Sequence, residues 1–126
     1  LGTSLIGHPV EHLRARLAQA GAADSRALTS IRHGEPILIG GLVVARQRPE
    51  SANGVVFVLM EDEFGFINII VRPEVEILYR ETTRQAPFLL ILGRIQRDGP
   101  VVQILAEKLK PMKPRAALAF RARSFR

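Results

Sequence analysis

Val55-Val56-Phe57-Val58-Leu59-Met60-Glu61-Asp62-Glu63-Phe64-Gly65-Phe66-Ile67-Asn68-Ile69-Ile70-Val71 is the stretch on which the fold turns. Two apolar runs, Val55 to Met60 and Phe66 to Val71, flank the turn Glu61 to Gly65, where Gly65 is available for positive φ, so the segment predicts a β-hairpin. The two-residue period of a strand sends Val56, Val58 and Met60 to one side, and Ile67, Ile69 and Val71 to the matching side of the partner strand. That set is uniformly aliphatic and is the expected interior. Phe57, Leu59, Phe66, Asn68 and Ile70 then face outward.

Upstream, Ile37 to Arg46 is rich in Ile, Leu and Val and runs into the turn-forming Arg48-Pro49-Glu50-Ser51-Ala52-Asn53-Gly54, which predicts a further strand and its loop. Downstream, Pro73 opens a helix with Glu74 and Glu76 at its positive end and Val75, Leu78 and Tyr79 on its apolar face. Phe88 to Gln96 predicts a fourth strand and Val101 to Ala106 a fifth, joined at Asp98-Gly99. Pro100 next to a two-residue turn would remove a closing hydrogen bond, so a wider loop is expected there. Three strands, a helix and two strands is the order of the OB-fold, a five-stranded, mainly β barrel with its helix between strands three and four. An open five-stranded sheet of another topology is the alternative. The barrel is expected over residues 36–107. Before it, Pro9 to Ala20 predicts a helix with Val10, Leu13 and Leu17 on one face and Gly21 as its stop, followed by a connector with one helical turn from Ser25 to Ile31. After it, residues 108–126 form a basic tail.

The chain has 126 residues, 47% apolar and 24% charged, with no cysteine, which excludes a disulfide scaffold, a four-thiolate zinc site and a thiol nucleophile. Its apolar runs are shorter than the roughly 18 residues of a membrane span, and the N-terminus lacks a signal peptide's pattern, so the cytoplasm is the expected location and no membrane partner is expected. The formal net charge is +6, but residues 111–126 carry Lys113, Arg115, Arg121, Arg123 and Arg126 without an acid. Of 18 basic and 12 acidic residues, 13 and 12 therefore fall in the first 110, a net of +1. Binding by the body of the chain must rest on the placement of charges, and the tail suits flexible electrostatic anchoring.

The outer face of strands two and three, flanked by the loops between strands one and two and between four and five, is where OB-folds hold single-stranded nucleic acid. There Phe57 is placed to stack on a base and Asn68 to hydrogen-bond a base edge, with Phe66 on the same face. Arg46, Gln47 and Arg48 lead into the first loop, Arg72 ends strand three, and Arg94 and Arg97 flank the second hairpin, where a groove following the phosphate backbone needs cations. The competing reading packs Phe57 and Phe66 against the N-terminal helix or another domain and leaves the arginines solvated. Glu61, Asp62 and Glu63 read as a polar turn rather than a metal site. His8, His12 and His33 have no ligand spacing. No phosphate loop and no nucleophile-and-base pair is present, so neither a catalytic site nor a cofactor is expected in this chain.

Gly7-His8-Pro9-Val10, Gly41-Leu42-Val43-Val44-Ala45-Arg46-Gln47-Arg48-Pro49, Glu61-Asp62-Glu63-Phe64-Gly65, Asn68-Ile69-Ile70-Val71-Arg72-Pro73 and Gly93-Arg94-Ile95-Gln96-Arg97-Asp98-Gly99 are spread along most of the chain, from residue 7 to residue 99. In them it resembles the C-terminal OB region of the error-prone DNA polymerases related to the bacterial DNA polymerase III alpha subunit, the ImuC type. Ala122-Arg123-Ser124-Phe125-Arg126 is loosely similar to that family's ending. The resemblance implies a module of a DNA-directed DNA polymerase acting in translesion synthesis and DNA repair, with the metal-binding aspartates in a palm outside this chain. The sequence departs from the family pattern at Glu50 and Asn53 in the first loop, at Leu59 where threonine is common, and at Gln103 where histidine is common. More distantly, Phe57 and Asn68 around Gly65 resemble the stacking Phe and reading amide of the anticodon-binding OB-folds of aspartyl and lysyl tRNA synthetases.

The expected function is therefore binding of single-stranded DNA template, or template-primer, within such a polymerase. The alternative is a protein-interaction domain in which Phe57, Leu59 and Ile70 dock on the polymerase body or an accessory mutagenesis protein. A free-standing enzyme is the least favoured reading.

Overall fold

The computed structural model describes residues 8–113, so Gly7, the stretch from Pro114 onward and the anchoring role expected of it lie outside the described residues. Five strands close into a barrel, β1 (Pro36–Gln47), β2 (Val56–Glu61), β3 (Phe66–Val71), β4 (Phe88–Asp98) and β5 (Val101–Pro111), in the spatial order β1-β2-β3-β5-β4. All pairs are antiparallel except β3 with β5. This is the OB-like barrel expected from the element order, and its closure excludes an open sheet. No described helix is long and apolar enough to cross a membrane.

The alternation read from the hairpin holds rung by rung. Val56 pairs with Val71, Val58 with Ile69 and Met60 with Ile67, and all six side chains are buried. Ile39, Leu89, Ile91, Ile95 and Ile104 complete the interior from the other strands. Each fully buried aliphatic side chain of this kind is worth about 1.5–3 kcal/mol of transfer free energy.

Several elements differ in detail from expectation. The N-terminal segment is a 3₁₀ turn, Pro9–Leu13, running into the short helix α1 (Arg14–Gln19). A second 3₁₀ turn, Ser25–Thr29, follows Gly21, which has a positive φ of 80°. Between β3 and β4 the single expected helix is two, α2 (Pro73–Leu78) and α3 (Arg80–Gln85), broken at Tyr79, whose φ of −123° and ψ of 34° are not helical. Because α2 is so short, Val75 and Glu76 are its buried side chains, and Leu78 is 74% exposed rather than part of an apolar face. Pro100 does not widen its loop: Asp98 pairs with Val101, so Gly99-Pro100 is itself the two-residue turn. Gly99 has φ 62°, the positive value a II′ turn requires at its first central position, and proline suits the second. Gly65 does not take positive φ. Asp62 closes that turn instead, its Oδ1 accepting the Phe64 and Gly65 amides at 2.9 and 3.1 Å. β5 runs on to Pro111, beyond the Ala106 expected from the pattern, because Lys108, Leu109 and Lys110 keep the alternation and pair with β4.

Val10, Leu13 and Leu17 are buried on the outside of the barrel against Leu42, Phe88, Leu90 and Met112. Gly40 permits this seat, since a Cβ there would lie 2.6 Å from Leu17 Cδ2. A polar seam fastens the same segment to the β2–β3 turn. His8 Nδ1 accepts the Val10 amide and its Nε2 meets Glu61 at 3.1 Å. Arg14 donates to both oxygens of Glu63, at 2.9 and 2.6 Å. Asp62 accepts the Ser25 amide at 2.7 Å and the Ser25 hydroxyl at 2.5 Å. Arg26 lies 3.6 Å above the Phe64 ring. Hydrogen bonding to Arg14 holds the Glu63 carboxyl below, and the Arg14 guanidinium above, its ordinary range. The acidic turn is thus occupied by this chain's own donors.

Candidate nucleic-acid interface

The outward residues of the hairpin form the site's floor. Gln47 stands beside Phe57, Phe57 beside Ile70, Ala45 beside Leu59, and Leu59 beside Asn68. The parallel register of β3 with β5, Ile69 against Ile104, adds Gln103 next to Asn68. Ala45, Gln47, Phe57, Leu59, Asn68 and Gln103 line a shallow groove of about 200 Å³. Its polar side chains are all carboxamides, each with an acceptor oxygen and a two-proton donor, and no acid lines it. A half-buried ring bordered by neutral amides can stack on a planar base and pair with its edges without repelling phosphate.

The N-terminal helix does not cover this face, being seated on Leu42, Phe88, Leu90 and Met112. Of the two packings in the competing expectation, against this helix or against another domain, the first is not what the described residues form. Phe66 is 61% exposed and paired with Glu61 at the far end of the hairpin, outside the groove.

The arginines singled out from the sequence divide into separate groups. Arg46 turns to the helix that closes the barrel, donating through Nε to the Thr83 carbonyl at 2.7 Å and through Nη2 to the Ala86 carbonyl. Burial pushes its guanidinium below the ordinary arginine value. Arg48 Nη2 lies 3.0 Å from Glu76. Arg46, Gln47 and Arg48 border a second pocket together with Val56, Thr83 and Arg84. Arg72 precedes α2, its Nη1 3.9 Å from Glu74 and its Nε buried without a partner. Arg94 contacts Glu107 at 3.2 Å and the Gly34 carbonyl at 3.1 Å. Arg97 is spent on the connector, with Nε on the Ile31 carbonyl at 2.7 Å, Nη2 on the Leu28 carbonyl at 2.5 Å, and its backbone amide on His33 Nδ1. The structure thus gathers Gln47, Phe57 and Asn68 in one groove and Arg46 and Arg48 in the adjoining pocket, and sets Phe66, Arg72, Arg94 and Arg97 apart from both.

Sequence reasoning passed over Gln103, Thr83, Arg84 and Glu76 as site residues. Gln103 carried one signal, its departure from the family's usual histidine. Glu76 carried none, because an acid in a first helical turn is ordinary.

No protein-family model matches the chain. Its sequence is 40% identical over 124 residues to an error-prone DNA polymerase of Anaeromyxobacter sp. (strain K) and 38% identical over 126 residues to one of Pseudomonas aeruginosa. These matches cover 98% and 99% of this chain but only 11% and 12% of the polymerases. The chain corresponds to a small region of such a larger polymerase. Among solved structures, the barrel is similar to part of asparaginyl-tRNA synthetase from Pyrococcus horikoshii, with TM-score 0.57 and 15% identity over 74% of this chain and 22% of that one. It is also similar to the p204 HINb domain, with TM-score 0.59 and 13% identity over 77% of this chain and 50% of that one. At these identities the likeness is one of fold.

Proposed function

We propose that this chain, which corresponds to a small region of error-prone DNA polymerases, binds single-stranded DNA across the outer face of β2 and β3 and so positions template strand for the polymerase to which it belongs. The observation that carries the reading is the groove in which Phe57 lies among the amides of Gln47, Asn68 and Gln103, with no acid among its lining residues. Phe57 supplies the stacking platform and Asn68 the nearest hydrogen bonds to base edges. The similarity to error-prone DNA polymerases supports this reading, and the context we propose for it is damage-tolerant synthesis and DNA repair in the bacterial cytoplasm.

Fluorescence anisotropy of a labelled single-stranded oligonucleotide with the 126-residue chain tests this. Binding at low salt should weaken as salt rises. Phe57→Ala should weaken it between about 5-fold and 150-fold, as loss of one stacked base at about 1–3 kcal/mol requires, with the melting temperature checked in parallel. A correctly folded Phe57→Ala chain that binds as tightly as the parent sinks the stacking role.

Docking on protein is the second reading, favoured by the half-buried apolar side chains of Leu59 and Ile70 on the same face. In that case the chain ignores oligonucleotides, and Leu59→Asp abolishes its association with the rest of the polymerase.

A further inference from the structure

Where the end of β1 meets α3, Arg46, Gln47, Arg48, Val56, Thr83 and Arg84 line a pocket of about 260 Å³. Its cations are organised by one acid. Glu76, 2% exposed, has Arg48 at 3.0 Å and Arg84 at 3.3 Å from Oε2, and Arg80 at 3.4 Å from Oε1. Of these Arg48 and Arg84 line the pocket together with Arg46, so three positive charges stand there against the one negative charge of Glu76, a net of +2. The ion pairs of Arg48 and Arg84 with Glu76 do not reach hydrogen-bond geometry, and Oε2 is buried without a hydrogen-bond partner. Thr83, wholly buried in the pocket wall, likewise has a hydroxyl with no partner. Arg46 spends two N–H groups on carbonyls, and a guanidinium has five. The pocket therefore holds unspent donors and excess positive charge. Guanidiniums held in fixed orientation suit a tetrahedral oxyanion, which they bind through paired N–H bonds.

We infer that this pocket seats a phosphate group of the strand whose bases cross the Phe57 groove. The link is Gln47, which borders both the pocket and the groove. The inference rests on the groove reading and extends it to α3: Arg84, together with Arg46 and Arg48, holds the backbone while Phe57 and Asn68 hold the bases, and Glu76 positions the arginines.

The test compares Arg84→Ala, Arg84→Lys and Phe57→Ala in the 126-residue chain, using single-stranded oligonucleotides of several sequences, each with a 5′-hydroxyl end, over a salt series. Arg84→Ala should weaken binding about 10-fold for every sequence, and the slope of log affinity against log salt should shrink by about 0.7, the value for one phosphate contact on a single strand. Arg84→Lys should restore the slope but not the full affinity, since it keeps the charge without the fork. Phe57→Ala should lower affinity with the slope unchanged. If Phe57→Ala weakens binding while Arg84→Ala alters neither affinity nor slope, the phosphate seat is wrong and the groove stands. Inorganic phosphate separates a strand phosphate from a free one. Should it raise the melting temperature of the parent chain and not of Arg84→Ala, yet fail to compete with the oligonucleotide, the pocket is an independent anion site and its link to the strand is overturned.

Discussion

The seam at the β2–β3 turn and the pocket at the end of β1 both concentrate charge, and they use it in opposite ways. At the seam each acid has donors of its own: His8 meets Glu61, Arg14 grips Glu63, Arg26 meets Asp24, and the buried Asp62 carboxylate is filled by Ser25 and two backbone amides. At the pocket Arg48, Arg80 and Arg84 converge on Glu76 alone, and Arg46 leans on two helix carbonyls. Acids that are each filled by their own donors fasten the N-terminal segment to the barrel. Cations in excess of their one acid leave a field that a ligand can complete. The same residue type, arginine, is thus structural at position 97 or 14 and available at position 84, and the difference lies in how many acceptors surround it.

The contrast breaks most visibly at Asp62. Asp62→Ala leaves four donors without their acceptor, and since each buried unsatisfied group costs about 1–3 kcal/mol, the chain should lose about 3 kcal/mol or more. Thermal unfolding followed by circular dichroism should show a drop on the order of 10 °C, with oligonucleotide affinity of the folded fraction unchanged. A small drop would mean the seam does not hold the fold. Next comes Glu76→Gln, which removes the one acid that Arg48, Arg80 and Arg84 share among the described residues and should cost roughly 1–3 kcal/mol. At constant ionic strength, added phosphate should return more stability to this variant than to the parent, because the repelling guanidiniums then take an external anion. Equal stability of Glu76→Gln and parent would show that the arginines need no organiser.

The smallest effect sharpens the matched side. Glu63 has a folded pKa depressed chiefly by its hydrogen bonds to Arg14, against the opposing effect of burial, with a smaller lowering from His8. Protons therefore bind the unfolded chain first. The stabilising contribution is complete above the ordinary glutamate value of about 4.3 and is lost as pH falls through the lower folded value. Glu63→Gln should cost roughly 1 kcal/mol at neutral pH and flatten the fall in melting temperature below about pH 4. An identical acid profile in the two chains would place the titration elsewhere.

Much of the barrel was legible because alternation is local. Val56, Val58 and Met60 share a face through the pleat alone, and Ile67, Ile69 and Val71 follow once the turn is recognised, so Phe57 and Asn68 could be placed outward before any contact was known. Gly99-Pro100 was harder, since a turn of Gly followed by Pro reads as a disturbance until the register shows both residues between paired strands. Gln103 was not legible as a groove residue, because its place beside Asn68 comes from the parallel pairing of β3 with β5, strands separated by two helices and β4.

The sequence by itself determined the order of elements, the inner and outer faces of the central hairpin, and an apolar helix face ahead of the barrel. These depend on side-chain periodicity and turn chemistry within a few residues. Only the tertiary structure decided where that helix lies, away from the Phe57 face, and how the charges are shared out. Arg46 reaches the carbonyls of Thr83 and Ala86, Arg97 those of Ile31 and Leu28, and Arg48 the buried Glu76. A charge acts on whatever stands within a few ångströms of it, and closing the barrel brings together acceptors that lie tens of residues apart in the chain.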